Sequence, residues 1–220
     1  MNKKDFTKML VEGGEALGVG LDDRATRRFL TYLEELKRWN RKINLTSVTS
    51  DREILIRHFL DSLTLAGPIR ALKLKKILDI GSGAGFPGLP LKIAAPELEV
   101  VLVDSVKKKV FFLRHIIRTL ALDGTIKALH GRAGDFFPGG LPVEGEGFDC
   151  VTSRAFSRLK GFLALAFPYC RKGGYVIALK GPSLTEELRE AEDGGFGAPF
   201  ISNIKLPFSD RTTTLVRFGK

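Results

Sequence analysis

The segment from Leu78 to Gly88 has residue types and spacing that could bind a cofactor. It contains glycines at four positions, namely Gly81, Gly83, Gly85 and Gly88. Glycine lets the backbone turn sharply and come close to a ligand, and the start of the following helix offers unpaired N–H groups. A segment of this kind between a strand and a helix predicts a cofactor-binding loop.

Two kinds of cofactor fit this loop. Counted from Gly83, it has the G-x-G-x-x-G spacing of dinucleotide-binding loops, and Asp104 follows at about the expected distance of roughly 20 residues. Counted from the strand end, it reads Asp79-x-Gly81-x-Gly-x-Gly. A carboxylate there suits the ammonium and sulfonium charges of S-adenosylmethionine and would repel a pyrophosphate. The methyl donor is therefore favoured, and an NAD(P)-dependent oxidoreductase is the alternative.

Further cofactor contacts are expected where the next two strands end. Asp104 closes the second predicted strand, where a carboxylate can bind two ribose hydroxyls, although it could instead cap the following helix. The third strand leads into Ala133, Gly134 and Asp135. Backbone there could approach an adenine, and Asp135 could accept a hydrogen bond from its amino group. A solvated turn is the alternative.

Motifs that the chain lacks constrain the methyl acceptor. Enzymes that methylate an exocyclic amine usually have an Asn/Asp-Pro-Pro-aromatic turn after the fourth strand. At that place this chain reads Cys-Val-Thr-Ser-Arg-Ala from residue 150, so an amine acceptor is disfavoured. Cytosine C5 needs a cysteine nucleophile, but Cys150 falls inside a predicted strand and Cys170 closes a predicted helix, so both are expected to be structural. A hydroxyl acceptor would need a base, for which Lys180 is the candidate.

Guanine N7 presents a lone pair and no proton, so it needs no general base. A site that holds cations and no evident base fits that acceptor. Arg154, at the end of the fourth strand, could orient the cofactor or stack on the target base, or it could form a surface salt bridge. Because methyl transfer depends mainly on positioning, no catalytic residue is assigned.

The elements that position these residues fall into two parts. Residues 1–70 are predicted to form a helical extension. It includes an amphipathic helix at 22–42 and a second helix, which opens with a capping box at Ser50–Glu53 and stops at Gly67-Pro68.

From residue 76 short apolar strands alternate with helices, which predicts an α/β domain over 71–220 with a parallel sheet. Strands are expected near 76–80, 100–103, 125–130, 148–152 and 175–179, with helices at 106–121 and 158–171. The last two segments, 200–206 and 212–218, are separated by a short turn and predict an antiparallel hairpin.

The charge of the chain indicates what kind of partner the protein binds. The chain has 220 residues and a formal net charge of +10, and half of that excess lies before residue 76, which favours a polyanionic partner. A non-catalytic RNA-binding protein is therefore a third hypothesis. Candidate RNA contacts are Arg57, His58, Lys107, Lys108, Lys109 and Lys180, although charge runs are often only solvated and a lone histidine is often structural.

Two cysteines argue against a secreted disulfide scaffold. The sequence shows no signal peptide, no apolar run of membrane-spanning length and no metal-ligand spacing. We expect a cytoplasmic monomer that needs neither a membrane nor a metal.

Four segments together resemble the bacterial small-subunit ribosomal RNA guanine-N7 methyltransferases, also called glucose-inhibited division protein B. These segments are Arg41–Thr46, His58–Leu63, Leu78–Pro90 and Ser153–Phe156. The resemblance covers nearly the whole chain. The glycine loop that runs into Phe86-Pro87-Gly88-Leu89-Pro90 is more specific than its glycines alone.

The resemblance implies an enzyme that moves a methyl group from S-adenosylmethionine to N7 of one guanine in the decoding region of 16S ribosomal RNA. It implies a class I S-adenosylmethionine-dependent methyltransferase fold, a Rossmann-like seven-stranded sheet with an antiparallel C-terminal hairpin. Cofactor contacts are implied at Gly81, Phe86, Ala133, Gly134 and Arg154. The family commonly has Glu at the position of Gly134, so Asp135 is the candidate to replace that side chain.

Overall fold

The computed structural model describes residues 1–122, 124–132, 147–154, 156, 158–181 and 184–220. The helices are α1 (Lys3–Ala16), α2 (Asp23–Ile43), α3 (Asp51–Ile54), α4 (Asp61–Leu63), α5 (Ala66–Ala71), α6 (Gly88–Ala94), α7 (Lys107–Thr119), α8 (Leu159–Ala166) and α9 (Thr185–Glu192). A π-helical segment, Leu55–Leu60, joins α3 to α4, and a 3₁₀ turn, Phe167–Tyr169, follows α8. In the described part of the chain, no helix combines the length and apolar character needed to cross a membrane.

Seven strands form one sheet in the order β3-β2-β1-β4-β5-β7-β6. Their bounds are β1 (Lys76–Ile80), β2 (Glu99–Asp104), β3 (Ile126–His130), β4 (Phe148–Ser153), β5 (Cys170–Lys180), β6 (Phe200–Lys205) and β7 (Thr212–Gly219). The first five strands pair in parallel, whereas β7 is antiparallel to both β5 and β6. The predicted α/β sheet and its antiparallel C-terminal hairpin are confirmed.

The N-terminal helices begin at the capping residues that the sequence provides. The Asp22 carboxylate accepts a hydrogen bond from the Ala25 N–H at the start of α2. The Ser50 hydroxyl accepts one from the Glu53 N–H, as the predicted capping box requires. Both caps satisfy backbone donors that a helix start otherwise leaves without partners.

One hydrophobic core joins the N-terminal helices to the sheet. It contains Phe29 and Phe59 from the helices together with Leu89, Leu102 and others from the α/β part. A second cluster on the opposite face of the sheet is built around α8, with Phe162 and Leu163 at its centre. No gap in packing separates residues 1–70 from residues 71–220. The division at residue 70 therefore stays a prediction about the separate roles of the helical extension and the α/β domain.

Two expectations about elements need correction, and one helix was missed. The second helix ends at Leu63, before Gly67-Pro68, and these two residues lie in the first turn of the separate helix α5, where proline loses no hydrogen bond. The helix predicted to reach 171 ends at Ala166 and a 3₁₀ turn follows it, so Cys170 begins β5. Helix α9 was not predicted.

Candidate active site

The glycine loop lies at the carboxyl ends of the parallel strands, the usual position of ligands in such sheets. Gly81 and Ser82 donate backbone hydrogen bonds to the Val103 carbonyl at 2.8 and 3.0 Å. The Gly83 N–H donates to Oδ2 of Asp104 at 2.8 Å. These bonds fix the loop after β1 against the end of β2.

Two glycines of the loop are required by their surroundings. Gly85 has a φ of +104°, and a Cβ placed there would lie 2.8 Å from the Tyr32 hydroxyl. A Cβ on Gly88 would lie 2.5 Å from Cδ2 of Leu102 and 3.0 Å from Oδ2 of Asp79. Glycine therefore allows the close packing of the loop onto α2, β1 and β2.

Asp79 holds a buried carboxylate directly beneath the loop. Its Oδ2 accepts a hydrogen bond from the Gly88 N–H at 2.9 Å, whereas its buried Oδ1 has no partner within the described residues. Burial raises the pKa of Asp79 to about 7, although the Gly88 hydrogen bond favours the ionised form. A buried acceptor without a partner fits the ammonium group of S-adenosylmethionine.

Asp104 is also buried, and both of its oxygens accept backbone hydrogen bonds. Oδ2 binds the Gly83 N–H, and Oδ1 binds the Val106 N–H at 2.8 Å, just before α7. The structure thus shows the carboxylate fixing the loop and the start of the helix. Contact with ribose hydroxyls stays a prediction, and the free lone pairs of the two oxygens permit it.

The ring of Phe86 connects the loop to the N-terminal helices. It stacks on Tyr32 with ring centroids 5.4 Å apart and on His58 at 4.6 Å, and it also contacts Phe59. Only 4% of Phe86 is exposed. Residues of the helical extension therefore form one wall of the loop that the sequence assigns to the cofactor.

Arg154 lies over the same ring. Its guanidinium carbon is 4.8 Å from the Phe86 centroid, a cation–π arrangement. The guanidinium donates to the Arg57 carbonyl at 2.8 Å and to Oδ2 of Asp61 at 3.2 Å. The other oxygen of Asp61 accepts a hydrogen bond from the Thr213 hydroxyl. The N-terminal helices, β4 and β7 thus meet at Arg154.

A cleft of about 700 Å³ opens beside Arg154. It lies between the π-helical segment, the ends of β4 and β5, and the turn before β7. Its polar lining includes Arg57, His58, Asp61, Arg154, Lys180 and Thr213. Because Arg154 and His58, which both pack on Phe86 of the loop, line this cleft, it is the candidate site for a methyl acceptor.

The prediction that His58 contacts RNA needs correction. Its side chain is 8% exposed, and burial, with the charge of Arg154 nearby, lowers its pKa to about 3. Its Nδ1 lies 3.0 Å from the Arg57 carbonyl and its Nε2 lies 2.7 Å from the Thr46 hydroxyl. A neutral imidazole with both nitrogens engaged supports its neighbours and supplies no cation for a phosphate.

Two further predicted RNA contacts lie along the cleft. The Lys180 ammonium donates to the Phe156 carbonyl at 2.8 Å and to Glu187 at 2.6 Å, so the structure shows it in an ion pair and not as an available cation. Arg57 is more exposed and lies 3.7 Å from the Glu53 carboxylate. Its contact with RNA stays a prediction.

The three lysines at the start of α7 lie next to the end of β2. Lys107 and Lys108 are exposed and Lys109 is half-buried, and the Lys107 ammonium lies 5.8 Å from the Phe111 ring centroid. Cations at a helix start are slightly unfavourable, so contact with a phosphate remains the prediction for these residues.

Both cysteines are buried. Burial raises the pKa of Cys150 far above its usual range and that of Cys170 to about 11, so neither provides a thiolate nucleophile.

The predicted cofactor contacts Ala133, Gly134 and Asp135 lie outside the described residues. The described part of the chain contains no cluster of three or more His, Cys, Asp or Glu side chains that could bind a metal ion.

Two residues of the site were not predicted from the sequence. Tyr32 is fully buried, and its hydroxyl donates to the Ala84 carbonyl of the loop at 2.5 Å. It lies three residues after Phe29 and four before Leu36, so the helical period of α2 could have indicated it. Thr213 has no such signal, because its partner Asp61 is distant in the chain.

Replacing Tyr32 with phenylalanine is expected to leave the buried Ala84 carbonyl without its donor. We expect a loss of about 1–2 kcal/mol in the free energy of unfolding, measured by urea titration, and weaker cofactor binding because the loop loses a support. The control is Tyr175→Phe, since the Tyr175 hydroxyl has no hydrogen bond within the described residues. Equal stability of both variants would contradict the prediction.

The sheet order, the glycine loop after β1 and the acidic residue at the end of β2 define a class I S-adenosylmethionine-dependent methyltransferase. Similar solved structures include the O-methyltransferase TomG of Streptomyces achromogenes in complex with SAM, with a TM-score of 0.62, 14% identity and 100% of both chains covered. Precorrin-6y C5,15-methyltransferase of Geobacter metallireducens has a TM-score of 0.52 and 15% identity, covering 71% of this chain and 87% of that one. At these identities the likeness shows the fold alone.

The chain belongs to the GidB family, described as rRNA small subunit methyltransferase G, whose profile matches residues 25–197. A ribosomal RNA small subunit methyltransferase G of Geobacter sp. strain M21 is 41% identical, covering 97% of each chain. The protein of that name from Clostridium novyi is 38% identical, covering 100% of this chain and 90% of its own. The resemblance seen in the sequence is confirmed, and the oxidoreductase alternative is not favoured.

Proposed function

We propose that this protein transfers a methyl group from S-adenosylmethionine to N7 of a guanine in the 16S RNA of the small ribosomal subunit. Membership of a family of small-subunit rRNA methyltransferases supports the substrate class. The buried, partly unpaired carboxylate of Asp79 supports the cofactor. We place the reaction in the cytoplasm, with the protein acting as a monomer.

The residues of the loop would hold the cofactor in defined ways. Asp79 would accept from its ammonium group, the loop N–H groups would approach it closely, and Asp104 would bind its ribose. Ala133, Gly134 and Asp135 are proposed to lie near its adenine. When bound, S-adenosylmethionine supplies an electrophilic methyl group on a sulfonium, so the protein has mainly to align donor and acceptor.

The choice of guanine N7 as the acceptor rests on the side chains of the cleft that could act as general bases. Among the described residues there, His58 has both nitrogens engaged and a pKa of about 3. Lys180 is paired with Glu187. Of the two carboxylates that line the cleft, Asp61 is bound by Arg154 and Thr213, and Asp210 lies 3.4 Å from the Lys205 ammonium. All four groups are thus engaged by partners, whereas an amine or a hydroxyl acceptor would require a base poised to remove its proton. Guanine N7 has no proton to lose, so this site suits it.

Three exposed cations lie near the carboxyl ends of the parallel strands, where the glycine loop also lies, namely Lys107, Lys108 and Arg57. We propose that they contact phosphates. Residues 1–70 would serve mainly in RNA docking and residues 71–220 in donor binding. RNA affinity is accordingly expected to fall steeply as salt rises.

The test supplies labelled S-adenosylmethionine and small subunits that lack the modification. The expected product is RNA labelled at one guanine. Treatment with borohydride and aniline should cleave the RNA chain at that nucleotide, which shows that the methyl group is on N7. Label on an exocyclic amine, on a ribose, on protein or on no RNA would overturn the proposal. RNA binding without turnover, unchanged by Asp104→Ala, would indicate a non-catalytic RNA-binding protein.

A further inference from the structure

A second cavity, here called the N-terminal groove, lies on the helical extension. Its volume is about 770 Å³, and it is bounded by the start of α1, the second half of α2 and residues 44–51. Its floor is apolar, with Phe6, Leu36 and Ile54 buried beneath it. Its rim is polar and mostly basic, with Lys3, Lys37, Arg38, Arg41, Asn44, Ser47 and Thr49.

The shape of one wall is fixed by a single side chain. The Asn40 amide donates to the Thr46 carbonyl at 2.8 Å, and its oxygen accepts from the Thr46 N–H at 2.8 Å. Asn44 adopts a left-handed conformation with φ of 49°, which turns the chain out of α2. The segment after α2 is therefore preorganised, which lowers the entropic cost of binding a ligand.

Several polar side chains of the rim are available to a ligand. Arg41, Asn44, Ser47 and Thr49 are exposed, and their side chains form no hydrogen bond or ion pair within the described residues. Lys3 and Lys37, in contrast, are neutralised by Glu34 and Asp51 at 2.6 and 2.5 Å. The open positions thus carry one arginine charge, two hydroxyls and an amide.

That set of side chains matches a nucleic-acid backbone. Arginine, serine, threonine and asparagine are common donors to phosphate and sugar oxygens, which fix the register of a bound strand. Two charged residues of the groove, Arg38 and Arg41, have no carboxylate partner among the residues that line the groove. Arg38 pairs with Glu35, which lies outside the groove. The resulting positive excess favours an anionic partner over a neutral or basic protein surface, and the hydroxyls and amide beside it suit the phosphate and sugar oxygens of RNA.

The groove is also close to the cofactor loop. The Thr46 hydroxyl on its wall lies 2.7 Å from Nε2 of His58, and the His58 ring stacks on Phe86 at 4.6 Å. One side chain therefore separates the wall of the groove from the residue that packs against the loop. A strand that reaches the cleft at Arg154 can continue into this groove.

We propose that the N-terminal groove binds the backbone of the RNA strand that flanks the methylated guanine. The inference rests on the proposed function and adds a second contact region to it. Arg41 and Ser47 would bind phosphates, while the acceptor base enters the cleft beside Arg154. The groove would set which nucleotide reaches the donor, without taking part in the transfer.

Photocrosslinking tests this placement directly. Because Cys150 and Cys170 are buried, a thiol-specific photoreactive probe can be attached to Ser47→Cys. The control is Arg189→Cys, an exposed position on α9, whose Ala191 packs in the cluster on the opposite face of the sheet. With unmodified small subunits, we expect crosslinks to RNA near the methylated guanine from Ser47→Cys and none from Arg189→Cys. Crosslinks only to a ribosomal protein, or equal crosslinks from both positions, would overturn the proposal.

Kinetics give an independent readout. Combining Arg41→Gln with Ser47→Ala is expected to raise KM for the small subunit about tenfold, with kcat and cofactor affinity unchanged. The slope of log affinity against log salt should become shallower by about 0.7 for each phosphate that the variant no longer binds. The control variant Arg189→Gln should change neither the KM for the small subunit nor this slope. If the wild-type protein methylates the subunit and the double variant behaves like it, only the groove inference fails. If the wild-type protein transfers no methyl to RNA, the proposed function fails, and crosslinking still decides what the groove binds.

Discussion

Replacing Asp79 with asparagine is expected to weaken S-adenosylmethionine binding about 100-fold, or about 3 kcal/mol, without unfolding the protein. Removing one partner of a buried, charge-assisted hydrogen bond costs about this much. Asparagine keeps the size of the side chain and can still accept the Gly88 N–H, so the loop should remain in place. Isothermal titration would measure the affinity and thermal unfolding the stability.

The same carboxyl predicts a dependence on pH. Its pKa of about 7 in the folded protein lies above the ordinary 3.8, so ionisation of Asp79 opposes folding. Its contribution to stability should fall as pH rises from about 4 to about 7. Affinity for the ammonium group should change in the opposite direction, increasing up to about tenfold per pH unit until pH 7.

A ligand without the ammonium group provides the control. 5′-Methylthioadenosine keeps the adenosine and lacks the amino-acid part, so its affinity should be insensitive both to Asp79→Asn and to pH between 6 and 7.5. If Asp79→Asn weakens both ligands equally, the carboxylate supports only the loop, and its assignment to the ammonium group is wrong.

Substituting Arg154 is expected to have the second large effect. Arg154→Ala should lower kcat/KM for methyl transfer about 100-fold, because it removes the guanidinium over Phe86 and leaves the partly buried Asp61 without its cation. Arg154→Lys keeps the charge and loses the planar contact and the fork of donors. It should recover only part of the activity in single-turnover assays.

Arg158 offers a matched control. It forms a similar pair with Glu190 at 2.8 Å, but its side chain is 75% exposed, and exposed pairs contribute little. Arg158→Ala should change kcat/KM less than twofold. Full activity of Arg154→Lys would mean that charge alone matters at this position, which would contradict a role for the stacked guanidinium.

Local sequence patterns predicted the parts of the fold that depend on local chemistry. The apolar runs of β1 and β2 and the short connection between β6 and β7 are sufficient to predict the sheet and its hairpin. Asp79 and the loop glycines were recognisable because alternating glycines that follow a strand and a carboxylate form a specific pattern. The helix α9 escaped prediction because its sequence is polar and has a short apolar face around Leu188 and Ala191.

Contacts between distant segments could not be predicted in this way. The π-helical segment Leu55–Leu60 has no sequence signature, yet it contributes the Arg57 carbonyl that Arg154 binds. The burial of His58 results from packing by Phe86 and Arg154, which are 28 and 96 positions away in the sequence. From the sequence alone, a structural role and an RNA contact therefore both stayed open for His58.

The stacking of Phe86 against Tyr32 and His58 has a consequence for how this protein could have evolved. The sheet is shared with methyltransferases that have little sequence in common with it. Here an aromatic ring of the donor loop is embedded in the added helices. Removing or exchanging those helices would uncover a ring that is only 4% exposed here, so such a change would have to be accompanied by changes in the loop itself.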